Sequence, residues 1–312
     1  MAAVSNGGKY FVRFRWKAFS SRGKNLTTST QSSPQSSTQY CTNLVRNLDY
    51  ENFLCVLLLP KGSRRSVFAV RAFNIEVARI QDTVSDPNIG RMRLQFWRDS
   101  LDNIYQGNPP QQPVALELAE TTSKHKLTKR WFSRIIDGRE KSIDNRPYDT
   151  ADSLEEHGEN TVSSVLYLIL ECLGVKDVQA DHAASHLGKA IGVVTLLRAT
   201  PFHGSRGKVY IPSDVMIKHG VSQEDIIRGR TTQAVKDVTY DLASLAHSHL
   251  STAKSLMSKA PKVATRVFLP MVSCQAYLTK IQQADFNMFH STLRERNHLL
   301  PLQLLKHAWT GL

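Results

Sequence analysis

The sequence predicts an all-α fold, and three observations carry that prediction. Apolar positions recur at helical spacing: Val67, Val70 and Val77 with Asn74 on one side of a helix, then Val162, Val165, Leu166 and Ile169, then Leu187, Ala190, Ile191, Val194 and Leu197. Alternation over strand-length runs is nearly absent. Proline and glycine fall between the periodic segments, where turns belong.

Taken in order, the chain opens on a leader. Residues 1–48 hold seven bases, Lys9, Arg13, Arg15, Lys17, Arg22, Lys24 and Arg46, and no Asp or Glu. Residues 9–22 mix bases with apolar side chains, and residues 20–42 are rich in Ser, Thr and Gln. That is the composition of a mitochondrial transit peptide, or at the least of a basic disordered leader, assigned here to residues 1–42. Ordered structure is expected from near Thr42, with residues 43–312 forming one all-α domain of nine to eleven helices.

Within that domain, Pro60-Lys61-Gly62 is a turn before the helix that runs into Asp82. Pro87-Asn88 ends that helix, because proline removes a donor and keeps its predecessor out of helical backbone. Gly107-Asn108-Pro109-Pro110 is a loop, as is Gly204-Ser205-Arg206-Gly207 with Pro212 soon after. Pro201 is expected to break the helix before that second loop. The last segment, Leu299–Trp309, is amphipathic and can start at Pro301. It reads as a closing helix packed on the bundle, or as one that touches a membrane or a partner subunit.

Composition excludes several functions. Four cysteines, Cys41, Cys55, Cys172 and Cys274, lack CxxC or CxH spacing and form neither a disulfide framework nor a zinc site. The longest apolar run, Phe53–Leu59, is far short of a membrane span. The net charge is +13, but +7 lies in residues 1–48, which leaves +6 for the rest and argues against a nucleic-acid partner. His182 and His186 are four apart and His247 and His249 two apart, with no third metal ligand nearby in sequence.

The chemistry-bearing motif is Asp82-Thr-Val-Ser-Asp86. On a helix, carboxylates four apart project from one face and repel by roughly 0.2–0.5 kcal/mol. A magnesium ion would turn that repulsion into a site, bridging the carboxylates to substrate phosphates. Arg79 and Arg71, on earlier turns, are candidates to hold phosphate oxygens, or equally to neutralise the acids.

The context of this motif resembles the squalene/phytoene synthase family. The matching series runs Asn52–Pro60, Arg64-Arg65, Phe68–Asn74 and Asp82–Asp86, then Gln95–Asp99, Tyr105–Gly107, Ile136–Gly138 and Tyr148, then Leu187–Ala190, Leu196–Arg198 and Arg206–Pro212. It extends from about residue 44 to about residue 290. The resemblance implies an isoprenoid-synthase-type helical bundle around a central cavity. In active members two aspartate-rich helices face each other and hold magnesium that stabilises departing diphosphate. Here the second pair of aspartates corresponds to Ala199 and His203, and the Gln and Asn usually upstream correspond to Gly192 and Thr195. Asp82 and Asp86 are thus remnant metal candidates, with no catalytic residue, and with no cofactor beyond residual magnesium.

Leu196–Tyr210, Glu156–Thr161, Ser222–Asp225, Asp285-Phe286, Phe289-His290 and Leu299–Leu302 look like a degenerate mitochondrial branch of that family. This implies a pseudoenzyme acting in early assembly of respiratory complex I, peripheral to the matrix face of the inner membrane. Its partners would be complex I subunits or other assembly factors. The alternatives are a protein that binds a lipid or a prenyl diphosphate in the persisting cavity, and a residual magnesium-dependent prenyltransferase.

Overall fold

A computed structural model describes residues 36–310, and its regular structure is helical, with no strand among the described residues. Helix α1 (Ser37–Leu48) is capped by Ser36, whose hydroxyl accepts the Gln39 amide at 3.2 Å. It buries Cys41 and Val45, so residues 37–42, assigned above to the leader, belong to the packed domain. The transit-peptide reading itself falls on residues outside those described.

Helix α2 (Tyr50–Leu57) leads through Pro60 into α3 (Lys61–Thr83). Helix α4 (Pro87–Tyr105), α5 (Pro113–His125) and α6 (Lys129–Lys141) pack around α3. At their centre Phe73 meets Trp97 and Phe132 edge to face, with centroids 5.3 and 5.2 Å apart. Edge-to-face packing suits the ring quadrupoles.

Helix α7 (Ala151–Gly158), a single π turn (Glu159–Ser163) and α8 (Ser164–Cys172) follow without a break. Ser164 to Leu170 are all buried, as expected of a helix apolar on every side. Helix α9 (Val178–Gly204) crosses this segment at close range and packs along α12. The remaining helices are α10 (Ser213–Lys218), α11 (Gln223–Ile227), α12 (Gln233–Met257), α13 (Pro270–Gln283) and α14 (Leu300–Thr310).

Fourteen α-helices among the described residues exceed the nine to eleven expected, because short helices such as α10 and α11 leave little periodic signal. Two local expectations are corrected. Pro201 does not break α9, which runs on to Gly204. It lies in the last turn, where Ser205 still donates to the Pro201 carbonyl at 3.3 Å and only one rung is lost. Nor do Asp82 and Asp86 share a helix. Helix α3 stops at Thr83, Val84 is extended (φ −116°, ψ 143°), and Asp86 caps α4.

The four cysteines are free and buried, and burial pushes each thiol up to about 12. They are structural side chains with no thiolate chemistry.

Candidate functional site

The ends of α3, α6 and α9 and the start of α7 converge on the acidic motif. Asp82 sits exposed in the last turn of α3. Asp86 is also exposed, and its carboxylate accepts the Asn88 amide at 2.8 Å as the N-cap of α4. Pro87 explains the split. It takes the first helical position of α4, and the residue before a proline is driven to extended backbone, here φ −105°, ψ 121°.

Opposite Asp82, where a second acidic pair is expected, stand Ala199 and His203. Ala199 offers no donor. His203 packs edge to face on Tyr210 at 4.9 Å, and burial lowers its basicity, with Lys208 and Arg206 adding to the effect against Asp82. Arg139 from the end of α6 comes close enough to feel the charge of Asp82, and its Nε is buried with no hydrogen-bond partner. Burial makes Arg139 easier to deprotonate than usual. Tyr148 and Tyr210 are pushed up to about 12 by burial. His157 is pushed down to about 3 by burial first and Arg139 second. Its ring lies 5.5 Å from that of Tyr148.

One loop residue holds this wall together. Asn145, in left-handed backbone at φ 56°, accepts from Gln81 at 3.1 Å, Lys208 at 3.2 Å and Tyr210 at 2.6 Å. Asparagine tolerates that conformation better than most residues. The site therefore offers the exposed Asp82 carboxylate within electrostatic reach of Arg139, His203 and Tyr210.

A magnesium–diphosphate cluster does not fit these residues. Magnesium needs several oxygen donors in an octahedron, and Asp86 is engaged as a cap while the facing helix contributes none. No cluster of three or more His, Cys, Asp or Glu suited to a metal occurs among the described residues. The position where the resemblance implies a Gln adds a steric reason. A Cβ on Gly192 would lie 3.0 Å from the Gly158 Cα, and one on Gly158 would lie 3.1 Å from the Lys189 Cα. Helices α7 and α9 pack closely against each other at the point where the family resemblance implies a ligand-bearing side chain.

The arginines proposed from sequence have contacts of their own outside the acidic motif. Arg71, eleven residues before Asp82 along α3, is buried and pairs with Asp49 between α1 and α2 at 3.6 Å. Arg79 lies near Tyr40 of α1, close enough to favour its phenolate. Arg139 and Asn145, which the sequence reading missed, do line the site. Their only signal was position, immediately after Gly138 and shortly before Tyr148.

The histidines also gain a partner the sequence did not show. His186 and His249 meet through their Nδ1 atoms at 2.9 Å, and His249 Nε2 lies 3.0 Å from Glu155. With Lys189 3.5 Å from the same carboxylate, this chain ties α7, α9 and α12 together.

Comparison with known proteins agrees with this architecture. The Squalene/phytoene synthase family profile matches residues 45–303. A Bos taurus protein named NADH dehydrogenase (ubiquinone) complex I, assembly factor 6 is 54% identical over 87% of this chain and 81% of its own length. The Homo sapiens protein of the same name is 53% identical over 86% and 81%. A crystal structure of a dehydrosqualene synthase in complex with ligand superposes with a TM-score of 0.76, covering 87% of this chain and 95% of that one at 19% identity, a likeness of fold.

Proposed function

The chain belongs to the squalene/phytoene synthase family, and on that premise we propose that it is a non-catalytic mitochondrial factor for early assembly of NADH:ubiquinone oxidoreductase, respiratory complex I. Its bovine and human relatives are named as complex I assembly factors and share more than half of the aligned residues. It works at the matrix face of the inner membrane as a peripheral protein, with complex I subunits or other assembly factors as partners. No helix among the described residues is long and apolar enough to cross a membrane.

The observation that carries the non-catalytic reading is the closure of α7 on α9 at Gly158 and Gly192. Losing ligands weakens a metal clamp, whereas losing the space for them removes it. Arg139, the buried base nearest in effect to Asp82, adds positive charge to this wall in place of a facing carboxylate. The fold has outlived one chemistry and serves another purpose.

A rescue experiment tests this. Cells lacking the protein receive either wild type or Asp82→Ala/Asp86→Asn, asparagine being chosen because it caps a helix as well as aspartate does. Protein levels are matched and assembled complex I is read on a native gel. The expected result is full rescue by the variant. A variant that accumulates normally yet fails to restore the complex overturns the non-catalytic reading and points to a phosphorylated ligand at the half-site.

A further inference from the structure

Helix α14 buries one face and leaves the opposite face bare. Leu300 and Leu304 pack with Cys55, Leu269 and Val272, flanked by Ala308, in a small cluster separate from the main core. Leu302, Leu305 and Trp309 recur at i, i+3 and i+7 on the other side and are 65%, 44% and 88% exposed. Single exposed apolar residues are ordinary, but three along one helical stripe with Leu299, 61% exposed, beside them mark a contact surface.

The segment that carries this stripe is net positive. Residues 262–312 hold six bases, Lys262, Arg266, Lys280, Arg294, Arg296 and Lys306, against Asp285 and Glu295. That is +4 of the +6 carried by residues 49–312. Arg266 donates to the Leu58 carbonyl at 3.2 Å and Arg296 lies 4.1 Å above the Tyr50 ring, so both flank α2, the helix on which α14 packs. Lys306 sits within the apolar stripe and can extend its ammonium past it. An apolar helical face with an interfacial tryptophan and a basic surround fits an anionic bilayer surface.

We infer that α14 is the membrane-docking element, lying in the headgroup region of an anionic bilayer with Leu302, Leu305 and Trp309 inserted. This deepens the peripheral-membrane part of the function proposed above. Its test uses vesicles alone, without any respiratory complex, so either reading can fail without the other.

The full chain is mixed with vesicles of phosphatidylcholine, or of phosphatidylcholine with phosphatidylglycerol, and bound protein is measured by flotation. The basic leader also favours anionic vesicles, so the informative comparison is with Leu302→Ser/Leu305→Ser/Trp309→Ser. This variant is expected to lose at least about tenfold in affinity for the anionic vesicles. Its thermal unfolding should match the parent, because the altered side chains are exposed. In a Trp16→Phe background, brominated acyl chains should quench fluorescence, and the quenching should vanish on adding Trp309→Phe. Unchanged binding by the triple variant, or no quenching at Trp309, overturns the proposal. So does a Trp309 that becomes shielded only when a protein partner is added.

Discussion

Two side-chain positions decide how the acidic motif is read, and each gives a direct test. The family resemblance implies a polar ligand at position 192, yet here a glycine lets two helix backbones come close. Gly192→Gln should therefore cost about 1–3 kcal/mol, the usual cost of forcing atoms into a packed contact. Gly188→Ala should cost more, because its Cβ would fall 2.0 Å from the Ser163 hydroxyl and 2.5 Å from the Ser163 amide nitrogen. Urea unfolding measures both, and a neutral Gly192→Gln would mean that the site is open. Arg71 is the second case. It pairs with Asp49 in a largely buried setting, so Arg71→Met should lose about 1–3 kcal/mol by leaving the carboxylate unpaired. Adding Asp49→Asn should recover part of that loss, a coupling expected of a pair and not of a phosphate ligand. Sequence spacing could list the bases near Asp82 but not their partners, since Asp49 reaches Arg71 only through the packing of α2 on α3.

At the scale of elements, the helices were legible and their ends were not. Burial of Val67, Val70 and Val77 follows their spacing, because a helix in water must hide one side. The end of α3 was missed because Pro87 acts on its neighbour. It makes Asp86 the cap of the next helix and so divides one expected motif between two elements. Contacts such as His186 with His249, 63 residues apart, have no local signature at all. Together the helix junctions predict a fold that loses stability in acid. His157, His203 and His186 are all harder to protonate when folded, each chiefly through burial. His203 and His157 face the α3, α6 and α9 ends, and His186 faces His249 and Lys189. The unfolded chain takes up these protons near pH 6.5, whereas folded His157 resists until about 3. The unfolded state therefore binds more protons in that window, and stability falls as pH drops from 6.5 toward 3. His157→Phe should flatten the dependence in urea titrations run across that range. An unchanged slope would remove His157 as a main source of the lability.

For the whole molecule, an isoprenoid-synthase bundle raises the question of what fills its middle. Family resemblance predicts the bundle and leaves open whether its cavity persists, because side-chain volumes across five or six helices are not readable from spacing. The structure packs Phe73, Phe132, Leu166 and Ile136 there, each at most 1% exposed. Two partly open depressions, one beside Arg71, Cys55 and Val267 and one between Arg65, Glu120 and Lys124, offer about 10 and 70 Å³. Drug-sized ligands occupy roughly 300–1,000 Å³. Interiors packed to crystal density admit a long apolar chain only by moving helices apart. A long-chain prenyl diphosphate with magnesium should therefore leave the melting temperature unchanged. A ligand present at a hundred times its Kd would instead add about 2.7 kcal/mol, enough to raise melting by several degrees. Inorganic diphosphate with magnesium serves as the control for the headgroup alone. If the prenyl compound raises the melting temperature and diphosphate does not, the bundle opens for a chain and the protein is a carrier. If neither does, the retained fold acts through its outer surfaces, which is where an assembly factor needs them.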